Sequence, residues 1–285
     1  MQKECVDCFL EQSEKLLKKH RVNRDAAEEV LSRLSLSIDR HSDITSPEVA
    51  CLMHRLIKRA TCIDDPYKNE KKHFNDLLLS LEDDIRRKIR TSADPFRTAL
   101  RFALAGNIID FGPRKPFDAL EIISEASKKL PYTDHTDDLK SALKKAETVL
   151  YLGDNTGEIV LDKLFIETIG HPNLYFAVRG YNIINDATLE DARYTGMIKT
   201  TKVISNGYDA PSTIVHRCSP EFRELYHRAD VIISKGQGNL EGLLDETRPD
   251  IFFLLMVKCQ VIAERIGVPE REVVVMRNQP AFSPA

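Results

Sequence analysis

TVLYLGDNTGEIVLDKLFIETIG, residues 148 to 170, decides how the rest of this chain is read. Its first five residues form an apolar run of the length of a buried strand, and the run ends at Gly153, Asp154 and Asn155. Residues 157 to 169 then follow a helical pattern. Apolar runs recur at 174–178, 202–205, 231–234, 251–257 and 273–276, and helical patterns separate most of them. Strands alternating with helices imply right-handed crossovers and a mostly parallel sheet, buried on both faces.

Upstream, the apolar spacing is helical. Cys5, Cys8, Phe9 and Leu16 recur on one face, as do Val49, Met53, Leu56 and Ile57, and Leu77, Leu78, Leu81 and Ile85. Ser46-Pro47-Glu48, Asp65-Pro66-Tyr67 and Asp94-Pro95-Phe96 read as helix starts, with a polar cap ahead of a first-turn proline. No strand is expected before Ala146. The expected architecture is α/β: a helical N-terminal region over residues 1–145, and a Rossmann-like three-layer domain over 146–285. Residues 131–138, PYTDHTDD, form the polar connector nearest the boundary at Lys145.

The bulk figures exclude several classes. Hydrophobic residues make up 42% of the 285 and charged residues 30%, the balance of a globular protein. A net charge of -3 with interspersed signs gives no electrostatic case for nucleic acid or a membrane surface. The amphipathic N-terminus lacks a signal peptide's apolar core, so a cytoplasmic location is the expectation. Six cysteines in this length do not suggest a disulfide framework.

In an open parallel sheet, ligands bind beyond the carboxyl ends of the strands. That rule selects residues 153–158, 179–186, 205–207 and 235–239. Asp154 and Asn155 offer hard oxygen ligands suited to a divalent cation, although the same pair suits an Asx helix cap. Asp186, in Asn185-Asp186-Ala187-Thr188, supplies a second carboxylate or another cap. Asp191 is read as lying on a solvated face or supporting a neighbour. Lys235 stands where an anion would bind, flanked by Gly236 and Gly238, which free the backbone to form an anion nest; a solvated surface turn is the alternative. Acids after the first two strands and a Lys-Gly loop after the fourth suit phosphoryl transfer to water.

These segments resemble the damage-control phosphatases, formerly catalogued as domain of unknown function 89. The resemblance rests on GDNTGE (residues 153–158), RGYNIINDAT (179–188) and SKGQGN (234–239). It extends upstream to DPYKNEKKHFN (65–75), AGNIIDFG (105–112) and CVDC (5–8), the last matching an archaeal-type branch. It implies a helical region packed on a Rossmann-like domain, and a divalent metal, Mn²⁺, Co²⁺, Ni²⁺ or Mg²⁺, held by Asp154, Asn155 and Asp186. The implied catalytic residues are Asp154, Asp186 and Lys235. Substrate or phosphate contacts fall on Asn107, Asp110, Glu158, Arg179, Lys235, Gly236 and Asn239. The implied activity is hydrolysis of small phosphorylated metabolites, including sugar phosphates and damaged pantetheine-type compounds.

Cys5 and Cys8 read either as packed thiols on one helix face or as a redox-sensitive or metal-recruiting pair. A methyltransferase using S-adenosylmethionine fits poorly, because the second strand ends in Arg179-Gly180 rather than an acid for ribose hydroxyls. A dinucleotide-dependent oxidoreductase lacks its G-x-G-x-x-G. A non-catalytic metabolite-binding protein would keep the pocket without needing a metal.

Overall fold

The computed structural model describes residues 2–40, 44–107, 116–248 and 250–278. Six helices come first: α1 (Lys3–Lys19), α2 (Arg24–Arg40), α3 (Ser46–Thr61), α4 (Lys68–Thr91), α5 (Pro95–Gly106) and α6 (Pro116–Ala126). The alternating part follows with β1 (Thr133–Asp134), α7 (Thr136–Lys145), β2 (Val149–Leu152), α8 (Glu158–Ile169) and β3 (Leu174–Val178). Next are α9 (Leu189–Tyr194), α10 (Met197–Thr200), β4 (Lys202–Ser205), α11 (Pro220–Arg228) and β5 (Val231–Lys235). The last elements are α12 (Gly236–Leu243), β6 (Ile251–Met256), α13 (Gln260–Ile266) and β7 (Val273–Arg277).

The sheet has seven strands in the order β1-β7-β6-β5-β2-β3-β4. Every pairing is parallel except that of β6 with β7. All six expected strands are present and the mostly parallel α/β architecture holds. One strand was not expected: β1 lies inside the polar connector. It is two residues long and pairs only with β7, so its ordering comes from that edge and not from an apolar pattern of its own. The chain leaves β2 towards β3 and β4, then returns to place β5 on the other side of β2. The ends of β2 and β5 therefore flank the point where strand order reverses, the usual ligand crevice of such sheets.

Alternate residues of each strand serve two cores. Val149, Tyr151, Phe176, Ile233 and Leu254 pack against α4, α5, α7 and α8. Leu150, Leu152, Ala177, Ile232 and Phe253 pack against α11, α12 and α13. The first core runs without interruption from Phe74 through Leu143 to the strands, so helices on both sides of Lys145 share it.

Helices α1 to α3 close on a separate core of Leu16, Leu17, Val30, Leu34, Val49, Met53 and Ile57. Thr45, rather than Ser46, caps α3: its backbone N–H donates to Glu48 at 3.1 Å in a capping box. Asp94 caps α5 as expected, accepting from Arg97 N at 3.0 Å. Arg55 forms a fork onto Asp209 at 2.7 and 2.6 Å, and Lys58 donates to the Asn182 carbonyl at 2.5 Å. These contacts seat α3 over the loops after β3 and β4. No helix among the described residues is long and apolar enough to cross a membrane.

Candidate active site

Three strand-end segments are laced together. The loop after β2 and the loop after β3 meet in an antiparallel bridge between Asn155 and Asp186. Around it, Thr156 N donates to Asn185 O at 2.9 Å and Ala187 N to Asp154 O at 2.8 Å. From the β5 side, Asn239 Nδ2 donates to the Gly153 carbonyl at 3.1 Å and to the Lys235 carbonyl at 2.8 Å. Gly236, at φ +78°, turns the chain directly from β5 into α12, so residues 236–239 form a first helical turn rather than an open loop. A Cβ at Gly236 would lie 1.9 Å from Asp154 Oδ2, and one at Gly238 would lie 2.1 Å from the Pro211 carbonyl. Glycine is required there because a carboxylate and a carbonyl already fill the space beside the backbone.

Asp154 and Asp186 are both buried. Burial, then the facing Asp186 and Glu158, pushes the Asp154 carboxyl up to about 8, against the pull of Arg179 and Lys258. Asp186 is also raised, by burial, with Arg179 opposing. Arg179 donates from Nε to Asp186 Oδ2 at 2.6 Å and from one terminal nitrogen to Asn239 Oδ1 at 2.8 Å. Its other terminal nitrogen lies 3.6 Å from Asp154 Oδ1, buried and without a hydrogen-bond partner among the described residues.

Beneath this pair runs a chain of polar side chains. Asn155 Nδ2 donates to Asp154 Oδ2 at 2.8 Å and to Glu158 Oε2 at 3.3 Å. Asn107, ending α5, donates to the same two oxygens at 3.1 and 3.3 Å. Glu158 takes its third contact from Lys235.

Lys235, expected to contact the substrate phosphate, is enclosed by protein groups in this structure. It is fully buried, as the last residue of β5. Its ammonium donates to Glu158, to Asp162 Oδ1 at 2.6 Å and to the Ala103 carbonyl at 3.0 Å, which uses all three protons. Burial alone would lower the ammonium's pKa, but Asp162 and Glu158 outweigh it and hold the group charged.

A cavity of about 800 Å³ opens above Asp154, Asn155 and Asp186. Gln237, Gly238 and Lys258 line one side, and Phe9, Pro47 and Met53 of the helical cap line the other. Cys5 and Cys8 border it, joined by Cys259 from the N-cap of α13. Asn107, Glu158, Arg179, Lys235 and Asn239 lie behind its floor rather than in its lining, and Asp110 falls outside the described residues. A second opening, of about 900 Å³, sits at the other end of β3 and β4 around Leu174, Lys202 and Val203 and gathers no carboxylate pair.

The residues fit a hard divalent cation. Four buried acids, Asp154, Glu158, Asp162 and Asp186, face two buried cations, Arg179 and Lys235. Burial raises the carboxyls of Asp154, Asp162 and Asp186 alike, and only the first and last of these line the cavity. The amide protons of Asn155 are directed at Asp154 and Glu158, which turns its carbonyl oxygen away from both. Among the described residues no three His, Cys, Asp or Glu side chains converge to hold a metal, so the set available is two carboxylates and an amide oxygen.

Asp162 and Tyr151 were missed by the sequence reading, although a usable signal existed. Glu158 and Asp162 stand one turn apart in EIVLDKLFIETI, a helix whose other residues are apolar except Lys163, Glu167 and Thr168 and which is buried from Glu158 to Ile166. Asn75 was missed as well: its Oδ1 accepts from Gly157 N at 2.8 Å, and its amide donates to Asp191 at 3.0 Å. Asp191 supports its neighbours, accepting from Thr188 N at 2.9 Å and pairing with Lys71 at 3.1 Å.

An open Rossmann-like sheet with an acidic, glycine-framed pair of loops at its carboxyl ends defines the class: an α/β protein whose oxygen-rich strand ends meet beneath a cavity. The family follows from comparison. The model of the damage-control phosphatase ARMT1-like domain matches residues 1–274, and the chain belongs to that family. It is 33% identical over 285 residues to the damage-control phosphatase of Pyrococcus horikoshii, covering 98% of each chain. A damage-control phosphatase of Archaeoglobus fulgidus is 33% identical over 230 residues, covering 77% of this chain and 78% of the relative. A crystal structure of a DUF89-family protein from Pyrococcus horikoshii superposes with a TM-score of 0.91 at 32% identity, over 98% of this chain and 99% of that one.

Proposed function

We propose that this chain is a divalent-metal-dependent phosphomonoesterase acting on small phosphorylated metabolites, damaged ones or sugar phosphates among them. The observation that carries the reading is the juxtaposition of Asp154 and Asp186, two buried carboxylates at the floor of a cavity large enough for a metabolite. Family membership supports phosphatase chemistry; the carboxylate pair supports the metal.

Asp154, Asp186 and the Asn155 carbonyl would hold the cation, which supplies charge neutralisation to the phosphate and acidifies water. The protein's own groups do the rest. Arg179, behind the floor, fixes Asp186 through Nε and sets its second terminal nitrogen 3.6 Å from Asp154 Oδ1, which holds the two carboxylates side by side beneath the phosphate. The first turn of α12, at Gln237 and Gly238, offers backbone amides to the same oxygens. Gln237 is oriented by the Lys258 N–H, which donates to its Oε1 at 2.7 Å. The apolar wall from Phe9, Pro47 and Met53 covers the organic part of the substrate and thins the water around the phosphate.

The test is a screen of phosphorylated metabolites against Mn²⁺, Co²⁺, Ni²⁺ and Mg²⁺, with metal-stripped protein in chelator as the baseline. Phosphate release that requires added metal supports the reading. Full release in excess chelator would contradict the metal, and binding of phosphorylated metabolites without release would favour a non-catalytic binding protein.

A further inference from the structure

Asp162 does not touch the cavity, yet it ends the polar chain that reaches the cavity floor. It is fully buried in α8. Its Oδ1 accepts from the Tyr151 hydroxyl at 2.7 Å and from Lys235 at 2.6 Å, and its Oδ2 is buried without a hydrogen-bond partner among the described residues. Lys235 passes the connection to Glu158 Oε1. Glu158 Oε2 then receives the amides of Asn155 and Asn107, the same two groups that clamp Asp154 Oδ2. Four elements, β2, α5, α8 and β5, meet in this one chain.

A buried lysine between two acids is a poor device for stability, since apolar side chains of the same volume often do as well or better. What it does is fix direction. Glu158 has two oxygens, and Lys235 occupies one, so the other is left to face the two amides. Asp162 Oδ1 and the Ala103 carbonyl take the two ammonium protons that Glu158 does not. Without Asp162, the ammonium keeps only Glu158 as an ionic partner, and the Glu158 oxygen that faces the two amides is no longer fixed from behind. The amides of Asn155 and Asn107 that hold Asp154 Oδ2 then lose a fixed anchor.

We infer that Asp162 is a positioning residue for the metal and phosphate site, acting with Tyr151 through Lys235 and Glu158 to aim Asp154 and Asn155. The inference rests on the proposed function. Outer-shell partners of metal ligands typically govern affinity or activity by roughly 10- to 100-fold.

The test is calorimetric titration of Mn²⁺ alone into wild type, Asp162→Asn and Tyr151→Phe, with thermal unfolding and steady-state kinetics on the same preparations. Asp162→Asn is expected to weaken Mn²⁺ binding about tenfold or more and to lower kcat while KM for a phosphomonoester changes little. Tyr151→Phe, which removes a single hydrogen bond, should shift Mn²⁺ affinity the same way by a few fold. Adding Asp162→Asn to Lys235→Met should cause no further loss, because the cation that Asp162 restrains is gone. Unchanged Mn²⁺ affinity in Asp162→Asn, with only a lowered melting temperature, would overturn the inference and leave the proposed function standing. Failure of wild type itself to bind Mn²⁺ would overturn both.

Discussion

Gly236→Ala isolates the contact on which the floor of the site depends. The new methyl would lie 1.9 Å from Asp154 Oδ2 and 2.3 Å from its Cγ, in a residue at φ +78°. Two costs add. The left-handed backbone costs a non-glycine residue roughly 1–2 kcal/mol, and forcing a methyl into a filled space costs roughly 1–3 kcal/mol. Gly267 separates them: its φ is +67° and a Cβ there meets nothing within 4 Å. Gly267→Ala should therefore show the backbone cost alone. Differential scanning calorimetry should place Gly236→Ala below Gly267→Ala by roughly 2–12 °C, at about 2–4 °C per kcal/mol for a chain of this order. Mn²⁺ titration should separate them further, since the Gly236 methyl displaces a proposed ligand. We expect at least a tenfold loss of affinity in Gly236→Ala and none in Gly267→Ala. Equal stability and equal Mn²⁺ affinity in the two variants would mean that the Gly236 methyl does not reach Asp154.

Three further outcomes are expected. Asp154→Ala and Asp186→Ala should each abolish Mn²⁺ binding by calorimetry while far-ultraviolet circular dichroism still reports a folded chain, and Asp186→Ala, which leaves Arg179 buried without its carboxylate, should also lower the melting temperature. Lys235→Met should destabilise the fold by about 3–5 kcal/mol in urea unfolding, because it leaves Glu158 and Asp162 buried without their cation. His54 is buried in α3 near Tyr67, and burial, then Lys58, lowers its pKa to about 4. The unfolded chain binds this proton first as pH falls through about 6.5. The stabilisation is therefore complete above pH 6.5 and is lost down to about pH 4, a loss on the order of 3 kcal/mol that His54→Phe should remove from the measured pH profile.

The parallel strands were legible because burial on both faces makes their sequences nearly continuous apolar runs, as in Val231-Ile232-Ile233 and Ile251 to Met256. Their carboxyl ends then pointed to Asp154, Asn155 and Asp186, which the fold does bring together. Strand β1 was hidden because Thr133 and Asp134 take their conformation from a partner 141 residues downstream. Lys235 was legible as a charged residue at a strand end, but not as a buried one. Its environment depends on Glu158 and Asp162, whose direction is set by how α8 packs on the sheet. The same packing decides that Asn107 reaches Asp154 from α5. Local sequence reports which groups stand at a strand end. The helices packed behind the sheet decide which of them face solvent and which become the support.

If Asp154 and Asp186 hold a divalent cation that phosphate release requires, the dependence should show in phosphate release from p-nitrophenyl phosphate by metal-stripped wild type and Asp154→Asn, before and after Mn²⁺ is added back. Wild type should be inactive when stripped and recover on addition, while Asp154→Asn should stay inactive at Mn²⁺ concentrations that saturate wild type. Undiminished release by the stripped wild type, or full recovery by Asp154→Asn, would mean that these carboxylates hold no required cation.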